Sequence, residues 1–512
     1  MSETTSDAIA VHAPLGPAEA RRRHETVKRA WSYALFAFVI ANGIYILYIW
    51  AAGGEDGIGY HWTSFYNFLV SFGRLTALLA GYLAVIEVLL LARLPFLERL
   101  VGFDKLTIWH RWNGHAVLYL ALAHVVSTVW AYSKTDGVSW FQEYWNWLTL
   151  PQSSAAAATT TATTTTAGSG SGSGVGGLCL SITGCGSKGP TTSPYPGMIT
   201  ATIGTALILV VLVTSLVVVR RKLSYEWWYV IHFTAYAGIA LAWFHFMVGN
   251  DLHSPQQHIH AAYFKIMYAG TLLLVLWYRL FKPLIDTYRF DMKVAEVIHE
   301  GPGVISLRIT GRNLEKLHTK AGQFFFWRFF TKGFWYTQHP YSLSEAPKGN
   351  SFRITIKNLG DHSARVAEIP IGTRVFAEGP FGVFTADSRT VDKALLIAGG
   401  IGITPVRALL EQMDGDVVAL YRVVSDSDIV FGPELEELAR SRGIKINYVV
   451  GDHAGTQGRH LLSPAHLREL VPDIGERDVY ICGPVAMIDY IVPNLRTANV
   501  SRNHLHVERF AL

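Results

Sequence analysis

Six apolar stretches, each long enough to cross a lipid bilayer, lie in this 512-residue sequence. A bilayer core is about 30 Å thick, so a helix that spans it needs about 20 apolar residues. Charged residues make up 16% of the chain, against about 25% in soluble proteins, which agrees with a large lipid-embedded portion. The sequence therefore predicts six spans, at 31–50, 63–91, 106–132, 196–219, 227–248 and 261–281.

Basic residues alternate with these stretches. The segment RRRHETVKR precedes the first, and Lys or Arg follows the second, fourth and sixth. The other connections, at 51–62, 133–195 and 249–260, contain only two lysines and no arginine. Because basic loops stay in the cytoplasm, we expect both termini there, as in a bacterial-type inner or plasma membrane. Residues 1–30 are predicted to be a disordered cytoplasmic tail, since they are polar and directly precede a full-length span.

The connection 133–195 contains a low-complexity run of Ala, Thr, Ser and Gly, which predicts a disordered outer loop. Cys179 and Cys185 fall within it, where a small disulfide loop is plausible in an oxidising compartment. The third cysteine, Cys482, is distant from this pair and suggests a functional thiol. The net charge of +5 is modest, and the basic residues flank apolar runs, which indicates lipid contact and no nucleic-acid partner.

After the sixth stretch the character of the sequence changes. Charges return, and β-rich segments are followed by strands that alternate with Gly-rich turns and helical patterns. We predict a multi-domain membrane protein in which a six-helix bundle (31–285) precedes a β-barrel domain (288–388). An α/β parallel-sheet nucleotide-binding domain (389–512) follows.

Histidines in the third and fifth stretches are matched in depth. His110 and His124 are 14 positions apart, which is about 21 Å along a helix and about 40° around it. His232 and His245 would share the inner and outer depths with them. Ionisable groups inside spans are usually functional, and two cross-helix pairs are what two bis-histidine haems require. The alternative is that each histidine only hydrogen-bonds a neighbouring helix.

The fifth stretch fits this pairing less well, because His232 and His245 are 13 apart, about 140° out of phase. Tilt, local distortion or side-chain reach must absorb the difference. His115 lies about 140° from the ligand face and is interpreted as structural. Arg74, in the second stretch, is predicted to pair with a haem propionate. Pairing with Glu87 is the alternative, although Glu87 is about 20 Å away along the helix.

The segment HPYSLSEAP, followed by IKNLGDHS, resembles the ferredoxin-reductase-like modules of the NADPH oxidase and ferric-chelate reductase superfamily. The resemblance implies that Tyr341 packs on the isoalloxazine of FAD and that Ser342 hydrogen-bonds near flavin N5. It places His339 near the FAD phosphates, beside Pro340. Three further residues match the motif near the pyrophosphate: Lys357, Gly360 and Ser363.

Glycines between an apolar strand and a helix predict a dinucleotide site, because they let pyrophosphate approach the backbone at the helix N-terminus. The residues are Gly399, Gly400, Gly402, Thr404 and Pro405. By the resemblance, Cys482 approaches the nicotinamide while Gly483 and Pro484 shape the turn. The near-terminal Phe510 shields the flavin, and Glu508 hydrogen-bonds near Cys482.

Arg422 ends the second strand of the nucleotide domain, where an adenosine 2′-phosphate would lie, and Ser425 could add a hydrogen bond. This favours NADPH over NADH. The alternative is a solvated surface arginine, since Asp426 and Asp428 lie beside it.

The resemblance implies an enzyme that takes electrons from cytoplasmic NADPH or NADH through FAD and two b-type haems to an external acceptor. No obligatory protein partner is evident. A ferric chelate is favoured narrowly over oxygen. Thr128 stands where animal-type NADPH oxidases carry another histidine, whereas Arg74 matches their oxygen-site arginine. His253, His258 and His260 could bind iron transiently, or could lie in a solvated loop.

Two other hypotheses remain open. The first is an enzyme that delivers electrons to membrane quinone. The second, from a different class, is a non-catalytic transporter or channel regulated by a nucleotide-binding tail. Haem absorbance would discriminate between the second hypothesis and an oxidoreductase.

Overall fold

The computed structural model describes residues 17–52, 64–149, 197–220, 222–248, 258–451 and 461–510. The predicted Cys179–Cys185 disulfide and His253 lie outside these ranges. Two compact units are present. The first includes Pro95–Phe103 and Arg279–Leu512, and the second comprises Leu35–Leu94 and Asp104–Tyr278.

Within the described ranges, six helices are long and apolar enough to span a membrane, which confirms the prediction of six apolar spans. The helices of this region are α1 (Pro17–Ala52), α2 (Phe65–Leu90), α3 (Pro95–Val101), α4 (Phe103–Asp136), α5 (Trp140–Thr149), α6 (Met198–Ser215), α7 (Val217–Arg220), α8 (Tyr225–Val248) and α9 (His258–Leu276). A π-helical turn, Trp277–Phe281, joins α9 to α10 (Lys282–Phe290). The fourth apolar helix ends at Ser215, four residues before the predicted end.

The start of α1 corrects the prediction of a disordered tail. Residues 17–30 are helical, since α1 begins at Pro17. Proline is favoured in the first turn of a helix, and the Ala, Glu and Arg residues that follow are good helix formers. Polar composition indicated a solvated segment but could not exclude a helix.

Small residues let two spanning helices approach closely. A Cβ on Gly204 of α6 would lie 2.7 Å from the carbonyl oxygen of Gly238 of α8. Within a membrane, where no hydrophobic effect drives helices together, such backbone approach supplies the packing. Hydroxyl groups add cross-helix hydrogen bonds, including one from Tyr268 to the Gly81 carbonyl oxygen (2.8 Å).

The β-rich part forms two three-stranded antiparallel sheets with strand orders β1-β2-β5 and β4-β3-β6. Isolated bridges at Lys293–Arg374 and Leu343–Ile354 join neighbouring segments. Closure of these sheets into a barrel stays a prediction. The elements are β1 (Lys293–Gly301), β2 (Val304–Thr310), β3 (Phe324–Phe329), β4 (His339–Ser342), β5 (Ser351–Lys357), α11 (Asp361–Ala364) and β6 (Val375–Phe381).

The C-terminal part confirms the predicted parallel α/β sheet, with strand order β11-β10-β7-β8-β9. Strands β7 and β10 are buried on both faces, which explains their nearly continuous apolar runs. The elements are β7 (Lys393–Gly399), α12 (Ile403–Gln412), β8 (Asp416–Val423), α13 (Gly432–Arg442), β9 (Lys445–Val450), α14 (Pro464–Leu470), β10 (Asp478–Pro484), α15 (Val485–Thr497) and β11 (Leu505–Phe510).

Within the first compact unit, α3 packs on the end of β6. The Glu98 carboxylate is only 4% exposed and accepts a hydrogen bond from the Gly382 N–H at 2.8 Å. Phe103 contacts Phe324, with ring centroids 6.1 Å apart. The connection between the second and third spans is therefore part of the same unit as the C-terminal domains.

Candidate functional site: paired histidines and a dinucleotide module

The four histidines predicted as ligands form two cross-helix pairs between α4 and α8. The ring centroids of His110 and His232 are 6.0 Å apart, and those of His124 and His245 are 6.2 Å apart. Because α8 is continuous, no break in the helix absorbs the phase difference between His232 and His245. Side-chain reach and helix tilt must therefore provide the match.

The spacing fits a metal held between two imidazoles. A metal–imidazole nitrogen bond of about 2.0 Å, with about 1.1 Å more from that nitrogen to the ring centroid, places two opposed centroids about 6.2 Å apart. Among the described residues, no group of three or more His, Cys, Asp or Glu side chains could hold a metal ion. Each of the two histidine pairs offers two imidazole nitrogens, and a haem held by two histidines would need such a pair.

Neighbouring groups hold the Nδ1 atoms of three of these rings. His124 Nδ1 lies 2.9 Å from the Gly73 carbonyl oxygen, and His232 Nδ1 lies 3.2 Å from Ser215 Oγ. His110 Nδ1 lies 2.8 Å from Glu87 Oε1. Partners of this kind fix ring orientation and leave Nε2 for a metal.

Thr128, a position discussed for the external acceptor, and Gly73, the sequence neighbour of Arg74, contact His124. Arg74 follows Gly73, whose carbonyl oxygen contacts His124. Thr128 Oγ1 lies 3.4 Å from His124 Nδ1, and a Cβ on Gly73 would be 2.3 Å from that hydroxyl. Glu87, the alternative partner of Arg74, contacts His110 instead. Arg74 is therefore the sequence neighbour of a residue that contacts the outer pair.

The HPYS residues form β4, which pairs with β3 so that Ser342 is opposite Phe324 and His339 is opposite Trp327. Trp327 Nε1 donates to the Tyr341 carbonyl oxygen at 3.0 Å, which anchors the strand. Burial raises the pKa of the Tyr341 phenol, so it stays neutral and suited to apolar contact.

The second flavin motif meets the first through two histidines. The rings of His339 and His362 are 3.7 Å apart, which brings the GDHS turn against HPYS. Ser363 Oγ accepts from the Leu359 N–H at 2.9 Å and donates to the Gly360 carbonyl oxygen at 3.0 Å. The Ser363 hydroxyl therefore stabilises its own turn, and its predicted contact with FAD phosphate stays a prediction.

The two nicotinamide motifs meet backbone to backbone. Gly399 ends β7 and Gly402 precedes α12, while Cys482 and Gly483 lie near the end of β10. A Cβ on Gly402 would lie 2.3 Å from the Cys482 carbonyl oxygen, and one on Gly483 would lie 3.2 Å from Gly399 Cα. Only glycine allows this approach. The motifs, separated by about 80 residues, thus form one edge at the carboxyl ends of adjacent parallel strands.

Three models of protein families match this arrangement. "Ferric reductase like transmembrane component" matches residues 76–243, "FAD-binding domain" matches 289–385, and "Oxidoreductase NAD-binding domain" matches 396–492. The matched segments contain His110, His124 and His232 and both dinucleotide motifs. The chain has the ferric reductase and NADPH oxidase architecture. It combines a ferric-reductase-like transmembrane region with an FAD-binding domain and an oxidoreductase NAD-binding domain.

Curated relatives match about a third of the chain. The glycine betaine monooxygenase reductase subunit of Chromohalobacter salexigens is 29% identical over 33% of the chain and 50% of the relative. Flavohemoprotein B of Dictyostelium discoideum is 29% identical over 34% of the chain and 45% of the relative. The chain thus spans about half the length of these relatives.

Solved structures similar to the chain cover the same module. The cytochrome b5 reductase domain of Ulva prolifera nitrate reductase covers 43% of the chain and 98% of its own length, with 21% identity and a TM-score of 0.37. The FAD/NAD-binding domain of nitric oxide dioxygenase from Vibrio cholerae covers 43% and 99%, with 24% identity and a TM-score of 0.35.

Cys482 is buried beside Glu508. The thiol is fully buried, and β10 and β11 pair so that Cys482 is opposite Glu508 and Pro484 is opposite Phe510. Burial, and secondarily the Glu508 carboxylate, raises the pKa of the Cys482 thiol well above its usual value. The sulfur is therefore a neutral thiol at physiological pH, which suits contact with a nicotinamide ring and not attack as a thiolate.

Arg422 does not fit one of the two sequence interpretations. It is only 5% exposed, so the interpretation as a solvated surface arginine is wrong. Its guanidinium donates to the Val423 carbonyl oxygen and, at 3.4 Å, to that of Val449. At least one of its donors therefore ties β8 to β9. Ser425 is exposed and caps the following turn, accepting from the Ser427 N–H at 3.4 Å. Contact of either residue with a 2′-phosphate stays a prediction.

The sequence did not predict an ion-pair cluster that joins strand β5 of the β-rich part to helices α12 and α13 of the C-terminal part. Glu434 of α13 accepts from Arg353 of β5 at 2.8 Å, and its other oxygen lies 2.6 Å from Arg407 of α12. Arg353 and Arg407 also donate to the Ser344 carbonyl oxygen, two residues after Ser342. Arg353 and Arg407 lie in apolar segments, which indicates that each needs a buried acidic partner. The sequence did not show that this partner is Glu434.

Lys357 also joins these two parts of the module. It lies at the end of β5, and its Nζ is 3.7 Å from Asp428 Oδ1 in the loop after β8. A lysine at a strand end can hold a phosphate or a carboxylate. Its predicted contact with the FAD pyrophosphate stays a prediction.

Proposed function

We propose that the chain carries electrons from cytoplasmic NADPH or NADH, by way of FAD and two b-type haems, to an acceptor on the opposite side of the membrane. A ferric chelate is the favoured acceptor. The proposal depends on one observation, the two cross-helix histidine pairs. Their ring centroids are 6.0 and 6.2 Å apart.

His110 with His232 would hold the inner haem, and His124 with His245 the outer one. When bound, FAD takes up an electron pair from the nicotinamide, whereas haem carries single electrons. Tyr341 and Ser342 would orient the flavin ring, and the glycines at the end of β7 would admit the pyrophosphate of the nicotinamide dinucleotide. Arg74 would neutralise a propionate.

We propose the domain boundaries 31–285, 288–388 and 389–512, with both termini in the cytoplasm of a bacterial-type cell. Support comes from the basic residues beside the spans and from Glu98, which places the connection after the second span in the unit of the dinucleotide domains. Outward electron movement is then favoured by an inside-negative potential, by about 2.3 kcal/mol per 100 mV.

Oxygen is the second candidate acceptor, because Arg74 lies beside the residue that contacts His124. Thr128, which replaces a histidine of the animal oxidases, supports a ferric chelate instead. Bis-histidine ligation leaves no open iron position, so either acceptor would react by outer-sphere transfer. Anaerobic reduction of ferric citrate, compared with superoxide-dismutase-sensitive dye reduction in air, decides. Rapid superoxide formation without ferric reduction would reverse the order.

Haem and flavin content test the proposal as a whole. We expect purified protein to contain about two haems per FAD, consistent with the two histidine pairs. His124→Ala and His245→Ala should each remove the outer haem, keep the inner one and leave dye reduction at the flavin intact. Loss of both haems in each variant would contradict pairing at two depths. A haem-free preparation would favour a transporter regulated by nucleotide.

A further inference from the structure

Glu87 lies in the apolar helix α2 and contacts one of the proposed haem ligands. Its Oε1 atom is 2.8 Å from His110 Nδ1, and its main-chain carbonyl oxygen is hydrogen-bonded to the same nitrogen at 3.3 Å. Its Oε2 atom accepts a hydrogen bond from Asn113 Nδ2 at 2.8 Å. An acidic residue inside a membrane span is costly and needs a partner, so a carboxylate that is bonded on both oxygens indicates a specific role.

The surroundings hold this carboxylate in place. Asn113 also donates to the Leu83 carbonyl oxygen at 2.9 Å, which fixes its amide against the helix that bears Glu87. A Cβ on Gly114 would lie 2.8 Å from Glu87 Oε1, so glycine at this position leaves room for the carboxylate. Residues of α4 thus direct Glu87 toward His110.

The corresponding contacts of two other proposed ligands are neutral. His124 Nδ1 contacts the Gly73 carbonyl oxygen, and His232 Nδ1 contacts the Ser215 hydroxyl. His110 Nδ1 also contacts a neutral group, the main-chain carbonyl oxygen of Glu87, but it differs from the other two in the carboxylate that lies beside it. The carboxylate thus distinguishes His110, in the inner pair, from His124, in the outer pair.

We propose that Glu87 is a positioning residue that lowers the reduction potential of the inner haem relative to the outer one. The inference rests on the proposed function. A carboxylate beside the Nδ1 atom of a haem-ligating histidine would place negative charge next to the ring and make the imidazole a stronger donor, which would favour ferric over ferrous iron. Electron transfer from an inner to an outer haem would then have a favourable equilibrium. Glu87 thereby sets the direction of transfer.

Redox titration of the full-length protein tests this inference in the His124→Ala background, where the inner haem is observed alone. We expect Glu87→Gln to raise the inner midpoint potential by about 59 mV, which is a tenfold change in the one-electron equilibrium. The low-spin ferric electron paramagnetic resonance signal of that haem should shift as well. Ser215→Ala, which removes a neutral contact of His232, is the matched control and should change the potential less.

The same titration with intact His124 should show the outer potential unchanged. An unchanged inner potential, or equal shifts in the potentials of both haems, would overturn the inference about Glu87. A content of two haems per FAD would still support the proposed function. If Glu87→Gln does not retain the inner haem, Glu87→Asp decides, because its shorter side chain lengthens the contact. An inner potential equal to that of the native protein would then overturn the inference.

Discussion

Gly402 lies directly against the carbonyl oxygen of Cys482, at a distance that leaves no space for a side chain. A Cβ on Gly402 would be 2.3 Å from that oxygen. The main chain of both residues lies at the carboxyl ends of adjacent strands. Neither main-chain segment can therefore move without displacing the motif to which it belongs. The contact joins the glycine-rich turn to the CGP turn, so the proposed nicotinamide site is formed from two segments.

Gly402→Ala should therefore displace the nicotinamide site. We expect kcat/KM for NADPH and NADH to fall about 100-fold, because a shift of about 1 Å in a binding residue can have an effect of that size. FAD content should stay normal. Stopped-flow flavin reduction provides the measurement. Gly301→Ala, where nothing lies within 4 Å of the new Cβ, is the control. Equal effects of both substitutions would contradict this account.

Cys482 should react slowly with iodoacetamide in the native protein between pH 7 and 9. Its thiol is fully buried, and its pKa is raised, so little thiolate forms. Above the unfolded pKa of about 8.5, the unfolded state loses this proton while the folded state keeps it. The thiol should therefore lower the free energy of unfolding as pH rises beyond that value. Mass spectrometry after timed alkylation checks the first expectation. Rapid native labelling that increases with pH would contradict it.

Glu434→Gln should weaken the ion-pair cluster that Glu434 forms with Arg353 and Arg407. Burial alone would raise the pKa of Glu434, but Arg353 and Arg407 outweigh it and hold the pKa below its usual range. The resulting stability is present above the unfolded pKa of about 4.3 and is lost as pH falls through the lower folded value.

Because Glu434 is 36% exposed, we expect a loss of about 2 kcal/mol, less than for a fully buried pair. Flavin release on heating the full-length protein measures it. Glu437→Gln on the same helix, whose pair with Arg440 is exposed, is the matched control and should change stability by less than about 0.5 kcal/mol. Equal losses would show that the cluster adds nothing specific.

Arg422→Ala should raise KM for NADPH and NADH by similar factors. The buried guanidinium donates to the carbonyl oxygens of Val423 and Val449, so its loss should disturb the ends of β8 and β9 for either nucleotide. Steady-state kinetics with both nucleotides give the comparison, with the exposed Arg440→Ala as control. A rise in KM confined to NADPH would instead support contact with the 2′-phosphate.

The sequence by itself determined the six apolar spans, the parallel sheet and the order of the dinucleotide motifs. Span length and strand alternation are local properties, so hydrophobic patterning predicts them without knowledge of the neighbours. Helical periodicity also placed His110 and His124 on one face. The start of α1 at Pro17 shows the limit of this approach, since a polar segment can be helical or disordered.

Only the tertiary structure decided which groups meet across elements. Glu87 and His110 lie on different helices, and the sequence could not indicate their contact because helix rotation and depth depend on packing. The burial of Arg422 depends on the sheet that surrounds it, and the proximity of Gly402 to Cys482 depends on adjacent strands about 80 residues apart. Contacts between distant segments arise from packing geometry, which local pattern does not encode.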